Sequence, residues 1–145
     1  MKMPGGGMNQ RGFTLVELLV SVTLMVIGVF AVVSMISVSM RSDMIANGIA
    51  TKTGLAREVL EDITSRSTSD SVLITTALNQ NYNFYTPHTL PGSSTQSQTT
   101  IQSATYTATY SVQINTPSSG VSQITASISG GSGGVVSMTS YKRVN

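Results

Sequence analysis

One stretch limits what this chain can become: Phe13 to Met40, FTLVELLVSVTLMVIGVFAVVSMISVSM, a predominantly apolar run in which Glu17 is the one charged residue. About 20 apolar residues in helical form cross a bilayer core, so a run of this length predicts a membrane-capable helix. Everything after Met40 must then be read as attached to that helix. Glu17 falls in its first turns, where a carboxylate in hydrocarbon costs on the order of 2.5 kcal/mol or more unless something compensates it. A partner for that carboxylate is expected.

In front of the run stands a polar leader, MKMPGGGMNQ, followed by Arg11 and Gly12, with Lys2 and Arg11 as its charges and no acid. Positive charge beside an apolar segment holds that end in the cytoplasm. A secretory signal with a cleavage site after its apolar region fits poorly. The apolar region is too long, and it ends in MRSDM without an A-x-A pattern.

The residues RGFTLVELLV resemble the class III signal of type IV prepilins, with glycine, aromatic residue and glutamate in register. The resemblance implies cutting between Gly12 and Phe13 by a prepilin peptidase that also methylates the new amino terminus. It makes Glu17 the counterpart of the family's glutamate near that terminus. The implied fold is α+β: a long N-terminal helix, apolar in its first half and amphipathic in its second, packed on a small antiparallel sheet. The implied partners are other pilin subunits, the peptidase and N-methyltransferase, the inner-membrane assembly platform and the membrane itself. The protein would be anchored in the inner membrane before assembly and then stand in a cell-surface pilus or a periplasmic pseudopilus. Assembly would use Glu17 and the helix residues Phe13, Leu15, Val16, Leu18, Leu19, Val22, Leu24, Ile27 and Gly28. An amine exposed at Phe13 of an incoming subunit is the expected partner of Glu17 in a subunit already in the filament, although a buried ion pair sets register more surely than it adds stability.

Two details point within the family. Many major pilins have a helix-breaking proline where this chain has Ser34, and minor pilins of the PilV kind often have glycine in the context read here as Ile27-Gly28-Val29. Both favour a minor pilin or a pseudopilin. Gly28 would permit close helix packing in either case. The competing reading is a single-pass anchored surface protein that binds a ligand through a Thr-rich sheet and never polymerises.

The expected organisation is a leader at 1–12, a membrane or filament-core helix at 13–40, an amphipathic continuation at 41–66 and a small β domain at 67–145. In the continuation, Ile45, Ile49, Ala56, Val59, Leu60 and Ile63 recur at helical spacings as one apolar stripe. Gly48 and Gly54 each weaken a helix by about 1 kcal/mol relative to alanine, so a bend or break is expected near them. A helix continuous to about Ser65 would run roughly 80 Å at about 1.5 Å per residue.

Beyond Thr68 the text turns Ser- and Thr-rich. SVLITTAL and NYNFYT read equally as a strand or as a last helical turn and loop, and PHTLPGSSTQSQT reads as a loop. In TYTATYSVQI, Tyr106, Ala108, Tyr110, Val112 and Ile114 alternate with polar residues, a strand with one wet face. TPSSG marks a turn, VSQITASIS a second strand, GGSGG hairpin material and VVSMTSYKRV a third strand. Three or four antiparallel strands are expected, laid on the helix stripe.

Composition narrows the function. Charged residues make up 10% of the chain, against about 25% in ordinary soluble domains. Removing Lys2 and Arg11 with the leader leaves 8 − 2 = 6 basic against 6 acidic residues. Such a balance gives no strong nucleic-acid footprint. There are no cysteines, hence no disulfide or thiolate metal site, in contrast to the many pilins that close a C-terminal loop with a disulfide. His88 is the single histidine and reads as a surface loop residue. Glu58, Glu61 and Asp62 read as a solvated helix face, with Arg57 able to pair with Glu61 and Arg66 with Asp62. The last forty residues hold no Asp or Glu, so the calcium site common in major pseudopilins is not expected. Tyr141, Lys142 and Arg143 read as a solvated terminus. No cofactor, metal site or catalytic constellation is expected.

Overall fold

The computed structural model describes residues 13–86 and 89–144, and the elements fall in two compact units, one ending at Arg41 and one beginning at Ser42. The Gly12 side of the cleavage site, His88 and Pro87 lie outside the described residues. Helix α1 runs from Leu15 to Ser65 without interruption. In the first unit every described residue is exposed. The hydroxyls of Ser21, Thr23, Ser34 and Ser37 each donate to a carbonyl three or four residues back, at 2.8 to 3.0 Å. These bonds satisfy four hydroxyls of the run within the helix itself, as suits an apolar medium.

The second unit is a small α+β body. After α1 come α2 (Ser71–Ile74), β1 (Ala77–Asn81), β2 (Gln98–Ile101), β3 (Ala104–Ile114), β4 (Val121–Gly130) and β5 (Val136–Arg143). Asp70 caps α2, its carboxylate accepting from the Val72 N–H at 2.9 Å. The sheet is antiparallel in the order β1-β3-β4-β5, and β2 also pairs with β3. β1 takes the later half of β3, through Thr109, Tyr110 and Val112, whereas β2 takes the earlier half, Ala104 to Thr107. Two short strands thus share one edge of β3.

Period-two patterning does what was expected in β3 and β4. Tyr106, Ala108, Tyr110, Val112, Ile124, Ala126 and Ile128 are buried and meet Leu55, Ala56, Val59, Leu60 and Ile63 of α1 in one core. An apolar helix stripe and an apolar sheet face, each insufficient alone, cover one another.

Four expectations need correction. The buried helix stripe begins with Gly48, Lys52 and Leu55, whereas Ile45 and Ile49 are 40% and 42% exposed. Following the 3.6-residue repeat back from Ile63 leads to Lys52 and Gly48, and Ile45 and Ile49 lie on the flank. The helix does not break at Gly48. A Cβ there would collide with the Ser132 carbonyl oxygen, so this glycine serves the close approach of the β4–β5 loop (residues 131–135) to α1. The segment read as loop through Thr99 turns into β2 at Gln98, because Gln98, Thr99 and Thr100 have a ready edge in β3 that propensity alone does not reveal. The sheet accordingly has five strands, not three or four.

Lys142 supplies the fourth correction. Its ammonium donates to the carbonyl of Thr64 at 2.6 Å and to that of Arg66, at the end of α1. Helix C-termini leave carbonyls without partners, and a cation there also meets the negative end of the helix dipole. Lys142 is therefore half-buried and occupied, whereas its neighbours Tyr141 and Arg143 are exposed.

Candidate assembly site at the start of the apolar helix

Local sequence explains how the amino-terminal end of α1 is built. Thr14 precedes the first helical residue, and its hydroxyl accepts from the Glu17 N–H at 3.3 Å, while its carbonyl accepts from the Leu18 N–H at 3.2 Å. Thr14 is the N-cap, and Thr14 with Glu17 has the spacing of a capping box. The spacing in TLVE carries the signal for that role. Glu17 sits where the helix dipole favours a negative charge, and Ser21, one turn on, donates to its carbonyl at 2.8 Å.

The Glu17 side chain is exposed, and among the described residues none hydrogen-bonds or ion-pairs with its carboxylate. Around it the surface is apolar: Phe13 and Leu15 are exposed by 79% and 82%, and Val16, Leu18, Leu19, Val22, Leu24 and Ile27 are exposed by 52% to 70%. An ideal Cβ on Gly28 would meet nothing within 4 Å, so nothing within the chain itself requires glycine there. Large apolar surfaces exposed in this way mark contact with lipid or with other proteins. By length and composition this helix is able to cross a membrane.

Compared with known families, residues 7–38 match the prokaryotic N-terminal methylation motif, which is the class III prepilin signal. The chain is type IV pilin-like. The matched span contains Gly12, Phe13 and Glu17 and more than half of the apolar run. None of the curated proteins and none of the solved structures compared with it matches the chain. The fold described above, a long N-terminal helix packed on a small antiparallel sheet, is consistent with the pilin fold.

Elsewhere in this pilin-like chain several charged side chains are engaged in structure. Arg66, nearly buried, lies 3.2 Å from Asp62 and 3.6 Å from Asp70. The other pair expected from the sequence, Arg57 with Glu61, does not form. Tyr82 packs edge-on against Phe84 with ring centroids 5.1 Å apart. Burial pushes the Tyr82 hydroxyl well above its ordinary range, and the Asp62 carboxylate, which it meets by a hydrogen bond, adds to the effect with Glu58 behind it. Burial likewise raises Tyr110. No group of three or more His, Cys, Asp or Glu side chains able to hold a metal occurs among the described residues.

The residue that sequence reasoning missed most plainly is Lys52. It is fully buried, and its ammonium donates to the carbonyl of Ser132 at 2.7 Å and to that of Gly134. A lysine between Thr51 and Thr53 carries no sequence signal of burial. Only its place on the extended helical stripe, four residues after Gly48, could have betrayed it.

Proposed function

We propose that this chain is a structural subunit of a type IV pilus or a type II secretion pseudopilus, and a minor one. In this reading residues 1–12 are the leader, 13–40 the membrane and filament-core helix, 41–66 its amphipathic continuation and 67–145 the globular domain. Prepilin peptidase cuts between Gly12 and Phe13 and methylates the amine of Phe13. The helix then passes from the inner membrane, through the assembly platform, into a bundle of pilin helices that ends as a surface pilus or a periplasmic pseudopilus. Glu17 pairs there with the Phe13 amine of a neighbouring subunit and sets the register between them.

One observation supports this reading above the rest: an exposed apolar helical stretch whose lone carboxylate, Glu17, has no partner among the described residues lies inside the matched methylation motif. Lipid can cover the apolar side chains but cannot neutralise Glu17, whereas a neighbouring amine can do so. Ser34 in place of a kinking proline and glycine at position 28 favour the minor role. Intact-mass analysis of the native protein tests the processing step. The expected product begins at Phe13 and is heavier by one methyl group than the bare cleaved chain. A product that retains Met1 to Gly12 would favour an anchored protein that does not polymerise.

A further inference from the structure

The second unit holds a cavity of about 220 Å³ that the assembly reading does not use. It opens between α1, the β2–β3 turn and the β4–β5 loop, and its walls include Met44, Asn47, Ile101, Gln102, Tyr106 and Gly131. Tyr106 is 5% exposed, and its hydroxyl, which keeps access to solvent, makes no hydrogen bond among the described residues. Gly131 keeps the space beside it clear. A Cβ on Gly131 would come within 2.9 Å of the Tyr106 hydroxyl oxygen and 2.7 Å of its ring, and the residue has φ +56°.

The walls divide by chemistry. The Tyr106 hydroxyl and the exposed amides of Asn47 and Gln102 offer both donors and acceptors, and Met44 and Ile101 offer apolar surface. None of these groups is ionised. From Ser71 to Tyr141 the chain contains no Asp, Glu, Lys or Arg. The buried cation on the neighbouring turn of α1, Lys52, is held by the carbonyls of Ser132 and Gly134. A charged ligand entering here would lose hydration and gain no counter-charge. The cavity is also smaller than the roughly 300 Å³ at which pockets for drug-sized molecules begin.

We infer that this cavity binds a single neutral saccharide ring, with the Tyr106 hydroxyl and the Asn47 and Gln102 amides on its hydroxyls and Met44 and Ile101 against its C–H face. This site is independent of filament assembly, since every wall residue belongs to the second unit.

The test uses the full chain in lipid nanodiscs free of glycoside detergent, with saturation-transfer NMR as the readout. Methyl β-glucopyranoside and N-acetylglucosamine are the neutral probes and glucuronate the charged one. Saturation transfer to at least one neutral sugar is expected, with glucuronate at least tenfold weaker. Tyr106→Phe keeps the buried ring and deletes the hydroxyl, and should weaken binding about tenfold, equivalent to about 1.4 kcal/mol. Tyr141→Phe, on the outer sheet face, should leave binding unchanged. The inference is overturned if neither neutral sugar receives saturation, if glucuronate binds as well as they do, or if Tyr106→Phe binds like the parent while remaining folded by circular dichroism.

Discussion

Glu17 and Lys52 are carried by the same helix, and they are treated in opposite ways. Lys52 is fully buried, and the fold brings two backbone carbonyls of the β4–β5 loop to its ammonium. Glu17 stands exposed on an apolar surface, and among the described residues no side chain is brought to it. Where this sequence needs a charge neutralised internally, it builds the acceptors, down to a glycine at position 48 that lets the loop come close enough. The absence of any such arrangement at Glu17 argues that its counterpart arrives from another molecule. On the proposed reading the first unit is finished by assembly, whereas the second is finished by folding.

The largest expected effect breaks this comparison at its first half. Glu17→Ala should leave membrane insertion intact, because it only removes a charge from an apolar run. Incorporation into filaments should fall at least tenfold, since a charge-assisted bond contributes about 1.5–3 kcal/mol. Counting the variant in sheared surface filaments against the membrane fraction checks both. Normal incorporation would rule out the pairing role.

The second half is sharpened by Lys52→Met, which keeps apolar bulk but leaves the Ser132 and Gly134 carbonyls without a donor. A loss of about 2–4 kcal/mol is expected, read as a fall of roughly 10 °C or more in the melting of the sheet signal. A loss below about 0.5 kcal/mol would mean that water replaces the ammonium freely, and the contrast with Glu17 would weaken.

Gly48 and Gly54, on the same helix, give a pair of opposite signs. Gly54 has open space around it, so Gly54→Ala should stabilise by about 0.5–1 kcal/mol through helix propensity alone. Gly48→Ala meets the Ser132 carbonyl and should destabilise by about 1–3 kcal/mol despite the same propensity gain. Thermal melts of the two variants side by side decide it. Equal signs would show that the loop yields and that Gly48 is not there for close approach.

How much of this was legible beforehand differs between the two units. The apolar run, the leader, and Gly12, Phe13 and Glu17 are local signals, readable from spacing and from the cost of a carboxylate in hydrocarbon. The strands at Ala104–Ile114 and Val121–Gly130 were equally local, because one face of each is wet and the other dry. β2 was not, since QTTI has the same composition as the loop before it and becomes a strand only by pairing with Ala104 to Thr107. Lys142 reads as part of a solvated terminus, and Lys52 carries no signal at all, for a related reason. Their partners are backbone carbonyls far along the chain, at Ser132 and Gly134 and at Thr64 and Arg66, and carbonyls leave no mark in side-chain sequence. The same blindness hid the cavity beside Tyr106, whose walls come from three separate stretches.

The smallest effect concerns alkali. Both Tyr82 and Tyr110 have hydroxyls whose protonated form is favoured in the fold, by burial first and, for Tyr82, by Asp62 and Glu58 as well. In the unfolded chain a tyrosine loses its proton near pH 10. Above that pH the unfolded state binds fewer protons than the native state, so unfolding becomes easier as pH rises. The contribution is complete below about pH 10 and declines above it, the reverse of a carboxylate held below its ordinary value. Tyr82 and Tyr110 sit in the second unit, so alkali should loosen the sheet body while the helical signal of Phe13 to Arg41, which has no tyrosine, persists. Tyr82→Phe should flatten the fall in melting temperature between about pH 9.5 and 11, at the cost of its bond to Asp62. If the slope in that window is the same with and without the Tyr82 hydroxyl, the alkaline sensitivity lies elsewhere, and the contrast between a unit closed by folding and one awaiting a partner must rest on Lys52 alone.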